Sequence, residues 1–182
     1  MIPKPFLAYY PALIEQNELN EKVVIIGNDG GQSFDAGHPS QYRKTKPRAN
    51  YETSNPADLN SFGPTKTVPL GDVVLGRSGD KGANINLGLF VHSDEEWEWL
   101  RTIATRNKLQ EWMGDDYKPE FFIERVEFAH LRAVHFVIYG PLSRGVTSCP
   151  LLDCFGKGFA DFIRARHVEV PEKFLLDKKV AR

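Results

Sequence analysis

From Asn28 to Thr67 the chain contains no Ile, Val or Met and a single Leu, Leu59. Gly30, Gly31, Gly37, Pro39, Pro47, Pro56 and Pro64 interrupt any periodicity there, and Phe34, Tyr42, Tyr51 and Phe62 are its only large aromatic anchors. So little apolar surface cannot offset the entropy of ordering such a stretch. Residues 28–67 are therefore expected to form an irregular linker or arm, and the core must be assembled from what flanks it. The supply is adequate: 41% of the 182 residues are hydrophobic and 26% charged, a globular composition.

Upstream, Lys22-Val-Val-Ile-Ile-Gly27 is a β-branched run suited to a buried strand, preceded by Phe6, Tyr9, Tyr10, Leu13 and Ile14. Residues 1–27 are too few for a domain. Downstream the pattern becomes regular. Leu70–Gly76 reads as a strand, Arg77–Gly82 as a tight Gly-rich turn, and Ala83–His92 as a second strand with Ile85, Leu87, Leu89 and Val91 at period two. Ser93 and Glu96 form a capping box for a helix carrying Trp97, Leu100, Ile103 and Ala104. Its stripe slips before Leu109, which predicts a break near Thr105 or Asn107; Gly114 ends the element. Phe122–Phe128 and Ala133–Tyr139, joined by residues 129–132, read as a second hairpin. Asp153 caps a last helix with Phe155, Phe159, Phe162 and Ile163 on one face, ending near His167. The order β-β-α-β-β-α predicts an α+β domain over 68–175, followed by a short tail, 176–182. Its simplest form is a two-layer sandwich, a four-stranded antiparallel sheet with two helices on one face.

Charge and cysteine content exclude several function classes. Twenty-three Lys and Arg against twenty-four Asp and Glu give a net charge of −1, with no global field for nucleic acid or anionic lipid. No apolar run approaches the ~20 residues that span a bilayer, and the opening residues resemble no signal sequence. The expected compartment is the cytoplasm, in keeping with only two cysteines, Cys149 and Cys154. Their spacing, with no second pair, fits no structural zinc site, and neither a metal nor a cofactor is expected.

Two segments carry an excess of chemistry. The first is Arg77-Ser78-Gly79-Asp80-Lys81-Gly82, followed by Asn84. As a loop, its backbone N–H groups could converge on a phosphate or carboxylate while Arg77 and Lys81 supply charge. The plainer reading is a solvated turn in which Asp80 bonds its own backbone. The second is residues 139–149, with Arg144 and Thr147 among its donors, which reads either as a polar connection or as a partner of the first loop. If the two share an anion, they must lie at the same end of the sheet. Gly27-Asn28-Asp29-Gly30-Gly31 lacks the helix a nucleotide turn needs. His130 and His135 read either as a general base or, more plainly, as hydrogen-bonded sheet histidines, and Trp97, Trp99 and Trp112 as packing residues.

These segments carry a family resemblance. Arg77–Gly82 with Asn84-Ile85, Trp99-Leu100, Leu131-Arg132-Ala133 with Phe136-Val137, Gly140 through Gly145-Val146-Thr147, and Leu152-Asp153 with Gly156-Lys157 resemble the small C-terminal domain of the acyclic-terpene-utilisation (AtuA) family. The resemblance implies a ferredoxin-like fold. It also implies a setting in the catabolism of branched terpenoid acids as acyl-CoA thioesters, with no catalytic residue to carry across. A large N-terminal domain normally precedes this module, so the resemblance further implies a truncated or split form whose partner chain supplies that domain.

Two functions compete. In one, the module is accessory or enzyme-completing and offers Arg77, Ser78, Gly79, Asp80, Lys81, Gly82, Asn84, Arg144 and Thr147 to a small anionic or acyl-CoA ligand. In the other, the loop is structural and the domain is a non-catalytic oligomerisation or ligand-binding module. Apolar residues of both parities in the central strands predict that the second sheet face is covered, by the arm, a partner chain or a homo-oligomer.

Overall fold

The computed structural model describes residues 12–28, 30–46 and 48–176. The cluster expected around Phe6, Tyr9 and Tyr10 and the tail beyond 176 lie outside the described residues. Two compact units emerge, one within residues 9–48 and one containing 49–176.

In the first unit, β1 (Lys22–Gly27) pairs antiparallel with β2 (Gly30–Asp35), with Val23 opposite Phe34 and Ile25 opposite Gln32. The strand expected at 22–27 exists, but it is not buried: Val23, Val24, Ile25 and Ile26 are all more than half exposed. A two-stranded ribbon has no second layer to cover either face. β2 also gives the first part of the supposedly irregular stretch a regular strand.

The second unit is built on a four-stranded antiparallel sheet. Its strands are β4 (Leu75–Lys81), β5 (Asn84–Phe90), β6 (Ile123–Phe128) and β7 (Ala133–Ile138), in the spatial order β4-β5-β7-β6. β7 lies antiparallel between β5 and β6, which therefore run parallel, a split β-α-β arrangement. The connection between them contains α1 (Asp94–Ile103) and α2 (Arg106–Met113). The capping box is formed: Ser93 Oγ accepts from Glu96 N, and Glu96 Oε2 accepts from Ser93 N. The expected break falls at Ala104, where Thr105 starts a fresh cap by accepting from Lys108 N. α3 (Phe159–Arg164) packs on β4.

The register aligns one apolar face across the sheet. Ile85, Leu87 and Leu89 oppose Ile138, Phe136 and Val134, and all six are buried. Three elements exceed the expected sandwich. β3 (Thr65–Pro69) pairs antiparallel with β8 (His167–Pro171), and α4 (Glu172–Leu176) follows. Phe174 of α4 meets Trp99 of α1 edge-on, with ring centroids 5.8 Å apart, so α1 is covered on a second side. The last helix is correspondingly shorter than expected. Asp153 accepts from Lys157 N and Gly158 N, capping a turn that precedes α3. Leu70–Gly76 is not one strand either: Leu70–Asp72 forms a 3-10 turn, and β4 starts at Leu75.

Residues 49–64 have an irregular backbone apart from a 3-10 turn at Leu59–Phe62, and Arg125 draws their first part into the fold. Its position on β6 has the parity of Ile123, so the guanidinium enters the core and is 0% exposed. Nε donates to Ala104 O at 2.7 Å. Nη1 donates to Tyr51 O at 3.1 Å and lies 3.0 Å from Glu127 Oε1, and Nη2 donates to Thr53 Oγ1 and Arg101 O, both at 2.9 Å. All five N–H groups are thereby engaged. The backbone of Arg125 accepts from Tyr51 N and donates to Asn50 Oδ1. Two of the carbonyls it satisfies belong to the C-terminal turn of α1, which has no further helical donors.

Replacing Arg125 with Met keeps the volume and removes the donors. We expect a loss of about 3–5 kcal/mol in urea denaturation, because Glu52 and Glu127 lose a buried counter-charge and three carbonyls lose a donor. A loss below about 1 kcal/mol would mean that the segment is held by its other contacts.

Candidate functional site

The Arg77–Gly82 segment is not a loop. Arg77 through Lys81 lie within β4, paired with Gly88, Leu87, Asn86, Ile85 and Asn84 in turn. Only Gly82 and Ala83 form the turn, with Gly82 at φ +66°. An edge strand bonds alternate amides to its one neighbour, spaces the rest two residues apart along its free edge and alternates its side chains, so the expected convergence of N–H groups on one anion does not occur. The motif is instead divided between two faces.

Ser78 and Asp80 share the side of Leu87 and Ile85, the helix side. Ser78, 6% exposed, accepts at Oγ from Ala160 N at 2.8 Å and donates to Lys157 O at 3.2 Å. Its hydroxyl fastens the start of α3 to the edge strand. Arg77, Gly79 and Lys81 share the opposite, open face with Asn84, Asn86 and His135. Arg77 and Lys81 are exposed, four strand positions or about 13 Å apart. Midway between them Gly79 is buried, because the Lys157 ammonium lies against it: a Cβ at Gly79 would stand 2.7 Å from Lys157 Nζ and 3.6 Å from Asn86 Oδ1. A side chain there would displace the lysine end, so glycine leaves the ammonium room to lie against the strand.

The second segment meets the first at the hairpin tip. Leu142 N donates to Ala83 O at 3.0 Å, Gly140 N to Asn84 Oδ1 at 3.2 Å, and a Cβ on Gly145 would lie 3.6 Å from Gly82 O. The two segments therefore share one end of the sheet. Arg144 and Thr147 are exposed near that tip, whereas Arg77 lies well down the strand.

Electrostatically the open face is cationic along β4. None of Arg77, Lys81 and Lys157 lies within ion-pair distance of a carboxylate among the described residues. His135 is half-buried on β7, where burial first and the positive charge of Lys81 second push its pKa below the ordinary 6.5. It is a neutral hydrogen-bonding group at pH 7. Across the sheet the same face turns apolar, with Phe128 48% exposed and edge-on to His135. Among the described residues no three His, Cys, Asp or Glu side chains converge as metal ligands, and no helix is long and apolar enough to cross a membrane.

The family model of the AtuA ferredoxin-like domain matches residues 68–169, more than half of the chain. The chain belongs to that family. The matched AtuA segment begins in β3, ends in β8 and contains the whole four-stranded sheet with the Arg77–Gly82 strand at its edge. No curated protein and no solved structure matches the chain.

Sequence reasoning passed over two residues of this strand face. Lys157 was visible only as part of the Gly156-Lys157 pair, and nothing in its spacing says that it crosses the edge of β4. Asn86 was detectable, since its parity with Asn84 puts two amides on one face of a strand whose other face is Ile85, Leu87 and Leu89.

The His135 environment yields a sign. A histidine whose folded pKa is depressed favours folding when neutral, so its stabilising contribution is present above the unfolded value near 6.5 and is lost as pH falls through the folded value. Its NMR titration midpoint should lie below 6.5 and rise in Lys81→Met. An unchanged midpoint in that variant would leave burial as the sole cause.

Proposed function

We propose that this AtuA-family domain is an accessory or enzyme-completing module in the catabolism of branched terpenoid acids or their acyl-CoA thioesters, working in the cytoplasm. It accepts the anionic part of its ligand on the open side of β4. The observation that carries this reading is the pair of exposed, unneutralised cations, Arg77 and Lys81, four positions apart on one strand face with the Lys157 ammonium between them. Like charges fixed along one strand face with no carboxylate among them are an arrangement that an arriving anion relieves. Asn84 contributes its amide at the tip, and Arg144 and Thr147 stand close enough to the Gly82 turn to meet a long ligand. Ser78 and Asp80 act from behind, with Ser78 fixing the strand to α3. Catalysis, where it occurs, uses groups from another domain or subunit.

A second reading, a non-catalytic assembly module, draws support from Phe90 and Phe128, both exposed and of the same strand-face parity. It makes the open face a contact surface and the cations a rim.

Calorimetric titration with a branched-chain acyl-CoA separates the two. We expect binding that weakens tenfold or more in Arg77→Ala/Lys81→Ala, the loss of about 1.4 kcal/mol from charge contacts. Affinity unaffected by the double substitution, together with concentration-dependent dimers in light scattering, would favour assembly.

A further inference from the structure

Lys157 occupies a place that ordinary packing does not explain. Its backbone belongs to the turn before α3, on the helix side of the sheet, where both flanks are tied down. Asp153 accepts from its N–H at 2.9 Å and from Gly158 N at 3.0 Å, and its carbonyl accepts from Ser78 Oγ. Its side chain nevertheless crosses the edge of β4 and delivers the ammonium to the open face, over the bare backbone of Gly79. That point is two strand positions, about 7 Å, from both Arg77 and Lys81. Three cations thus line one strand edge with a glycine beneath the central one, Asn86 beside it and no carboxylate within ion-pair range among the described residues.

An unpaired lysine in solution would point away from two neighbours of its own sign. Here the chain spends a serine, an aspartate and a glycine on holding it between them. The motif Arg77-Ser78-Gly79-Asp80-Lys81 reads accordingly as a device for three charges: alternate residues supply two of them, and the serine and glycine between them anchor and admit the third.

We infer that Arg77, Lys81 and Lys157 together form a site for a compact doubly charged oxyanion, the phosphate group of a phosphate monoester or of free phosphate. This rests on the reading that the open face accepts an anion, and it adds the class of that anion and the residue that completes the site. A carboxylate carries one negative charge and is matched by one guanidinium fork. A phosphate dianion offers three terminal oxygens for three cations. Asn86 and neutral His135 stand on the same face as uncharged hydrogen-bonding groups.

The test is a titration of the full chain, followed by amide and side-chain NMR shifts, with inorganic phosphate, with phenyl phosphate and with acetate at constant ionic strength. Phosphate or its monoester should shift Gly79, Asn86 and His135 and bind at least tenfold more tightly than acetate. Lys157→Met, which keeps the aliphatic stem, should lose at least tenfold in phosphate affinity while leaving acetate nearly unchanged. Gly79→Ala should reproduce that loss by displacing the ammonium. A tighter monoester identifies a phosphorylated organic ligand, and equal affinities identify free phosphate; either supports the site. Phosphate binding that is lost in Arg77→Ala but intact in Lys157→Met would overturn the three-cation site and leave the open-face reading standing, with Lys157 merely shielding the strand edge. Acetate bound as well as phosphate would overturn the dianion assignment. Shifts with none of the three anions would remove both.

Discussion

The guanidinium of Arg125 is the contact on which the second unit depends. Five donors in one plane reach a strand, two carbonyls of one helix terminus and an otherwise irregular segment. Such a buried charge is tolerable only because every N–H finds an acceptor and two carboxylates, Glu52 and Glu127, balance it. The consequence runs outward. The break between α1 and α2 leaves Arg101 and Ala104 carbonyls without helical donors; Arg125 supplies them, and in doing so it binds residues 50–53 along β6. An apolar residue at this position would pack well enough against Phe136, but it would release the segment and orphan the end of α1.

The edge strand β4 uses alternation in a related way. A sequence that looks like a loop, with three glycines counting Gly76, is drawn into the sheet because Gly76 and Gly79 each admit a neighbour. Gly76 faces α3, where a Cβ would stand 2.9 Å from Arg164 Cδ, and Gly79 faces Lys157 on the other side. The glycines therefore serve proximity rather than turning. Only Gly82, at φ +66°, serves the bend. Covering the outer strand with α3 on one side and a lysine stem on the other also blunts an edge that would otherwise template pairing with another chain.

Much of this was legible in the residues. Period-two runs located β5, β6 and β7, the Ser93 capping box and the slip after Ala104 located both helices, and the AtuA-type segments located the domain. What escaped has physical reasons. β3 and β8 are five-residue strands whose partners lie about a hundred positions away, so no local pattern announces their pairing. Glycine density in Arg77–Gly82 suggested a turn because propensity registers flexibility but not the neighbour that needs space. Arg125 looks like a solvent residue by type, and only its parity with Ile123 argues otherwise. At the site, strand parity could have separated Arg77 and Lys81 from Ser78 and Asp80. The arrival of Lys157 from beyond the edge is a tertiary fact that spacing does not encode.

The β3–β8 ribbon has a further consequence. Val68 is paired with Val168 and Thr67 with Glu169, so the matched segment starts and stops in neighbouring strands about 5 Å apart. Polypeptide thus enters and leaves the domain through a single doorway. A module clasped in this manner can be inserted into a host loop or appended to another protein without rethreading either, since the host needs to bridge only one strand spacing. The clasp also joins the most distant strands of the domain, so its pairing carries the largest loop-closure entropy of any strand pair in the sheets described. Portability and a long-range closure are thereby two results of one pair of short strands.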